Sequence, residues 1–242
     1  MSEYYIPNHV HFVIAGDVAV FLDLRADQYR MLVGAKARVF KSILTTTAST
    51  PQRIIVNDCR DTDNRCSVVA DLIKELLANK LITTAIPPAT SPPPTDIPTP
   101  DSSFLESQDS AATGVDVRDV VRFFSSCLIA KFRLKFSSIE SIVGSVDKRR
   151  RAQNPRAQLD LGKARRLVYI YYRLRPLLPQ SYLCLFDSIT LLTFLSKYDC
   201  FPSWVFAVRL EPWEAHCWVQ YETVAFNEYT DRARAYLPLM VV

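Results

Sequence analysis

Among the residues able to attack a carbonyl or move a proton, Cys184, His216 and Glu228 stand out by type and order. A thiol deprotonated by a neighbouring imidazole is a nucleophile, and a carboxylate beside the imidazole fixes its tautomer and stabilises the imidazolium. Cys184 follows Pro179-Gln180-Ser181-Tyr182 and opens an apolar run to Leu195 that reads as a buried helix. A cysteine in a helical first turn gains from the helix dipole, which favours thiolate, and its N–H is placed to hold an oxyanion. His216 sits in Ala215–Gln220, a strand pattern, and Glu228 ends a second one, Val224–Glu228.

The strand register makes a geometric test. If Tyr221–Thr223 is a three-residue loop, Gln220 pairs with Val224, Trp218 with Phe226 and His216 with Glu228. Histidine and carboxylate then lie opposite on one face, about 4.5–5.5 Å apart at Cβ. Asp231, three residues on, is a rival carboxylate, and Asp187 reads as a cap or a solvated charge on the Cys184 helix. His216 is the only histidine after residue 11, so it or a carboxylate must be the base. Taken alone, Cys184 also fits a small packed hydrophobe, and that reading is stronger for Cys200 and Cys217. Thiol on a helix, then histidine and acid on strands, is the order of papain-like and transglutaminase-like nucleophiles.

Several elements must hold these residues. The chain has 242 residues, 49% hydrophobic, with a net charge of +4 too mild to imply nucleic acid. Its six cysteines show neither CxxC pairs nor zinc spacing and read as reduced thiols; His9 and His11 share a strand face without a carboxylate cluster, so no metal is expected. Neither a signal peptide nor a membrane-spanning run is evident. Residues 87–112, with seven prolines among Ser and Thr, read as a solvated linker between units 1–86 and 113–242.

The expected fold class is α+β. In the first unit, strands at His9–Ala15, Ala19–Leu24 and Gln28–Val33 precede helices near Ala35–Leu44 and Ser67–Asn79 and a short strand, Leu81-Ile82. This order describes a small winged-helix-like domain. The second unit begins with helices over Val115–Phe136 and Ser138–Val146, the former with an apolar stripe of Val120, Val121, Phe124, Cys127 and Leu128. Lys148–Arg151 reads as a solvated charged turn. A helix over Leu159–Leu178, the Cys184 helix, and strands Ser203–Leu210, Ala215–Tyr221, Val224–Glu228 and Tyr236–Val242 complete a mostly helical plus antiparallel-sheet domain.

Three strings carry a family resemblance: Cys184-Leu185-x-Asp187-Ser188-x-x-Leu191-Leu192-x-Phe194-Leu195, Trp204-Val205-Phe206-x-Val208-Arg209 and Ala215-His216-Cys217-Trp218-Val219-Gln220. With the ending Tyr236–Val242, they resemble the lasso peptide biosynthesis B proteins, transglutaminase-like cysteine proteases that remove the leader from a ribosomally made precursor. The resemblance implies an asparagine-synthetase-like partner that closes the macrolactam, a bacterial cytoplasmic setting and no cofactor of the protease itself. It assigns catalysis to Cys184, His216 and Glu228, although the family usually shows Asn-Asp where this chain has Asn227-Glu228. Trp213, and Trp218 with it, would line the substrate pocket.

Leu22-Asp23-Leu24-Arg25-Ala26-Asp27-x-Tyr29 is similar to the leader-recognition domain fused to many of these proteins, related to the PqqD fold. That similarity implies a leader added as a strand to Gln28, Tyr29, Arg30, Met31, Leu32 and Val33 and packed on Val69, Leu72, Ile73 and Leu76. The leading function is therefore a cysteine leader peptidase. A non-catalytic peptide-binding chaperone delivering a precursor to a cyclase is the alternative. A DNA-binding regulator ranks last, because Ser67–Asn79 carries Asp71 and Glu75 where a phosphate-facing helix should be basic. No nucleic acid or membrane partner is expected.

Overall fold

The computed structural model describes residues 2–45, 53–56, 64–87, 97–106, 114–152 and 158–242, in two compact units, Met1–Pro93 and Pro94–Val242. The first unit contains β1 (Ser2–Tyr5), β2 (Val10–Ala15), β3 (Val18–Asp23), β4 (Gln28–Val33), α1 (Ala35–Ile43), β5 (Leu44–Thr45), β6 (Arg53–Val56) and α2 (Asn64–Ala78). Strands β2, β3 and β4 form the expected antiparallel meander. Its first turn uses Gly16 at φ +56°, a left-handed conformation open to glycine without Cβ strain. Alternation sends Ala19, Phe21 and Leu32 into a core with Phe40, Ile54, Leu72 and Leu76.

A second sheet, ordered β1-β6-β5, was not expected. Its strands have two to four residues, too few for a periodic signal to stand out. The expected strand at Leu81-Ile82 is absent. Both residues are buried, but the nearby pairing is an isolated bridge between Thr83 and Tyr5.

The second unit contains β7 (Ser102–Ser103), α3 (Val117–Phe136), α4 (Ile139–Arg151), α5 (Leu161–Leu174), a 3₁₀ turn (Arg175–Leu177), α6 (Cys184–Ser196), β8 (Ser203–Arg209), β9 (Glu214–Tyr221), β10 (Val224–Ala225), α7 (Thr230–Arg234) and β11 (Leu237–Val241). Its sheet runs β11-β8-β9-β10-β7, antiparallel except where β7 joins β10. Helix α6 packs against β9, α3 and α5, and every residue from Phe186 to Leu195 is buried.

Three expectations change here. The Pro-rich segment is not linker throughout: residues 97–106 belong to the second unit, while 88–96 and 107–113 lie outside the described residues. Proline lacks a donor but keeps its carbonyl, and the Pro98 and Pro100 carbonyls accept from Gln220 Nε2 at 2.7 Å and Arg234 Nε at 3.0 Å. Phe104 stacks on Phe226 at 4.7 Å between centroids.

The inward face of α3 is Phe123, Ser126, Cys127 and Ala130, so Val121, Phe124 and Leu128 are exposed rather than core. Phe123 takes the inward place, with its ring 5.5 Å from that of Tyr171. Lys148–Arg151 forms the last turn of α4, where cations suit the helix dipole. Arg149 and Arg150 are half-buried, and Arg150 NH1 donates to Ser203 Oγ at 2.6 Å.

Candidate active site

Cys184 is the first residue of α6, and the chain leading to it is fixed by a buried cation. The Arg175 guanidinium is fully enclosed, donates to both oxygens of Asp187, and binds the carbonyls of Gln180 and Ser181 at 3.0 Å each. Asp187 accepts the Leu183 N–H at 2.7 Å, and Tyr171 OH donates to it at 3.2 Å. Tyr182 lies over the guanidinium, 4.3 Å from ring centroid to Cζ. One ion pair thus holds backbone groups of residues 180, 181 and 183 and delivers the thiol at the helix start. Asp187 does cap, as expected, but from the buried side and with Arg175 as its charge partner.

His216 projects from β9, its ring 5.1 Å from Tyr236 and 6.0 Å from Trp218. Its Nε2 is in contact with Glu228 Oε2, which leaves Nδ1 for the thiol. The expected partner is therefore found, but not by the expected register. The β9–β10 loop has two residues, Glu222 and Thr223, with Glu222 left-handed at φ 49°, and the ladder pairs Val224 with Tyr221 and Ala225 with Gln220. The pairing is one residue off the expectation, and a one-residue slip exchanges the faces. Glu228 reaches His216 because β10 ends at Ala225 and the chain leaves the ladder before it.

Further contacts seat the carboxylate: Oε1 accepts the Tyr229 N–H at 2.8 Å, and the Glu228 carbonyl accepts Ser103 Oγ at 2.7 Å. Thr230, opening α7, gives its N–H and hydroxyl to Glu106. Asp231, the rival acid, is exposed on α7. Segment 97–106 therefore braces the turn that carries Glu228, a role composition alone did not suggest.

The electrostatics follow from these contacts. A hydrogen bond from the Cys217 thiol, against the cost of burial and helped by His216, brings the Cys184 thiol down to about 4. Burial pulls His216 down, but hydrogen bonds to Cys184 and Glu228 outweigh it and bring the imidazole up to about 9. Cys217 moves the other way, raised by burial and by its bond to Cys184. A thiolate–imidazolium pair is the resulting ground state near neutrality. Burial pushes Cys127 up to about 11 and Cys200 up to about 12, so both are inert thiols there. Cys217, expected only to pack, is instead a donor to the nucleophile; its signal was its place beside His216 on the alternate face of the same strand.

The other expected site residues divide. Trp213 is part-exposed in the β8–β9 turn, three residues before His216. Trp218 is not a pocket wall: it is buried behind His216 and donates Nε1 to Gln220 Oε1 at 2.8 Å. In the first unit, β4 is an edge strand, with Gln28, Arg30, Met31 and Val33 exposed, Tyr29 half-buried and Leu32 in the core. Leu72, Ile73 and Leu76 are also core rather than groove, because the apolar stripe of α2 closes this small unit, and Val69 packs at its margin.

Cys127, Cys184, Cys200 and Cys217 are free thiols; Cys59 and the Cys66 side chain lie outside the described residues. Among the described residues no three His, Cys, Asp or Glu side chains converge as a metal site, and no helix is long and apolar enough to cross a membrane. The chain matches none of the curated proteins and none of the solved structures. Residues 127–241, which contain the thiol, the imidazole and the carboxylate, match the transglutaminase-like superfamily and form a domain of that superfamily.

Proposed function

We propose that this protein is a cysteine peptidase that cleaves the leader from a ribosomally made lasso peptide precursor before the macrolactam is closed. The observation that carries it is the contact chain Cys184–His216–Glu228 at the start of a buried helix, within a transglutaminase-like domain. Such a domain is compatible with cysteine peptidase chemistry. In this reading the Cys184 thiolate attacks the scissile carbonyl, and backbone N–H groups at the helix start, Cys184 among them, hold the oxyanion. The His216 imidazolium then gives its proton to the departing amine, and water, deprotonated by His216, hydrolyses the thioester. Glu228 keeps the ring oriented throughout.

The first unit binds the leader in the same reading. Its support is the edge strand β4, which among the described residues pairs on one side only, with β3, so that an extended peptide can add main-chain hydrogen bonds on the other. Tyr29, Met31 and Val33 share one face of that strand by its period of two. The partners are the precursor and an asparagine-synthetase-like cyclase, in a bacterial cytoplasm.

Mixing the full chain with a lasso precursor and following its mass tests the peptidase. Wild type should release the leader and Cys184→Ala should not; an intact precursor with wild type, while its leader binds, would favour the chaperone. Leader binding by residues 1–86, read by fluorescence polarisation, tests the recognition role, and absence of binding would refute it.

A further inference from the structure

In an antiparallel ladder every second opposed pair exchanges two main-chain hydrogen bonds, and the observed register puts Phe226 and Val219 at such a pair. At Phe226 and Val219 only one is a main-chain bond: Phe226 N–H donates to the Val219 carbonyl at 2.8 Å. The return donor, Val219 N–H, goes to the Asn227 side chain instead, at 2.6 Å from Oδ1. That oxygen replaces the Phe226 carbonyl and frees the main chain to leave the sheet after Phe226. Had the ladder continued in its observed register, Glu228 would lie opposite Cys217, and its carboxylate would share the Cys217 face. The other end of the same amide donates Nδ2 to Ser188 Oγ at 3.2 Å. Ser188 lies one helical turn beyond Cys184 on α6, and its hydroxyl donates in turn to the Cys217 carbonyl at 3.3 Å. One side chain therefore touches the thiol-bearing helix, the histidine-bearing strand and the turn that carries the acid.

We propose that Asn227 is a positioning residue that ends the β9–β10 ladder and turns Glu228 from the Cys217 face to His216. Asn227 acts through Glu228 and touches no reacting atom. The inference rests on reading Cys184, His216 and Glu228 as the reacting trio. It also gives a physical reason for an asparagine directly before the acid: the amide offers an acceptor to Val219 and a donor to Ser188 at once, which a carboxylate or a hydroxyl at that distance does not.

The test needs no substrate. Carboxamidomethylation of Cys184 by iodoacetamide is followed across pH in the full chain, with peptide mass mapping to separate it from the other cysteines. Glu228→Gln should move the acid limb of the Cys184 profile, which falls near pH 4 in wild type, upward by about one unit and lower the rate at pH 4 about fivefold, because a less supported imidazolium holds less thiolate. Asn227→Ala should lower it by a similar factor and move the profile in the same direction. The double variant should fall no further than Glu228→Gln alone, as expected of residues acting through one group. If Asn227→Ala is unfolded by circular dichroism, Asn227→Ser, too short to reach Val219, carries the same expectation. A wild-type profile for the Asn227 variant beside a shifted Glu228→Gln profile overturns the inference and leaves Glu228 in place. So does a double variant whose loss is the product of the two single losses. If Glu228→Gln itself leaves the profile unmoved, the role given to the carboxylate fails first, and the inference with it.

Discussion

The thiol and the imidazole are held in opposite ways. Cys184 stands on a continuous helix whose approach is fixed by Arg175 and Asp187, a pair only twelve residues apart, with ligands at 180, 181 and 183. The imidazole depends on parts far apart in sequence: an interrupted ladder, a strap at 97–106, and an acid whose main-chain carbonyl is held by a serine 125 residues away. The nucleophile is placed by local geometry and one buried charge pair. The base is placed by several weak, long-range contacts. Damage to the first side should therefore cost stability as well as rate, and damage to the second should cost rate first.

The largest effect expected is from Cys184→Ala, which should reduce leader release by on the order of 10⁴-fold or more, as for other covalent nucleophiles. A near-native melting temperature would show that chemistry and not folding was lost. Glu228→Gln should lower kcat by about 10²–10⁴-fold, the range seen when the acid of a triad is neutralised. The same variant should lose much less stability than a change at Asp187. Asp187→Asn strands the buried Arg175 charge and should cost about 3–5 kcal/mol, read by urea unfolding. Equal stability losses for Asp187→Asn and Glu228→Gln would break the contrast between the two sides.

The pH dependence sharpens it. With Cys184 down to about 4 and His216 up to about 9, the ion pair spans that interval. Cleavage should fall below pH 4, as the thiolate is protonated, and above pH 9, as the imidazolium loses the proton the leaving amine needs. Because the folded His216 value lies above its unfolded one, its stabilisation is complete below about 6.5 and lost as pH rises through about 9. Cys184 has the opposite sign: its folded value lies below its ordinary one, so its contribution grows up to about 9 and offsets the His216 loss. The urea midpoint of wild type should therefore be level between about pH 6.5 and 9 and fall as pH drops from about 6.5 toward 4. The smallest effect is at the α3 surface, where Leu128→Ser should change stability by about 0.5 kcal/mol or less, because that side chain is exposed.

Elements with strong periodicity were legible in the sequence. The meander at β2–β4 and the buried helix from Cys184 follow their patterns because alternate residues, or all residues, are apolar over six or more positions. The face of α3 was misassigned because several apolar registers fit one helix, and only packing against α6 selects Phe123 and Cys127. The strap was missed because proline content reports stiffness and says nothing of where the carbonyls find donors.

The sequence by itself determined the chemical types in the site and their order, since a thiol at a helix start, a strand histidine and a following acid are local patterns. Tertiary structure decided which acid and which face. By pairing alone Glu228 belongs opposite Cys217, and only a side-chain amide, a serine from the strap and the end of the sheet bring it to His216. A period of two makes a strand's faces readable, but the point where the chain abandons the ladder depends on partners that no local pattern contains.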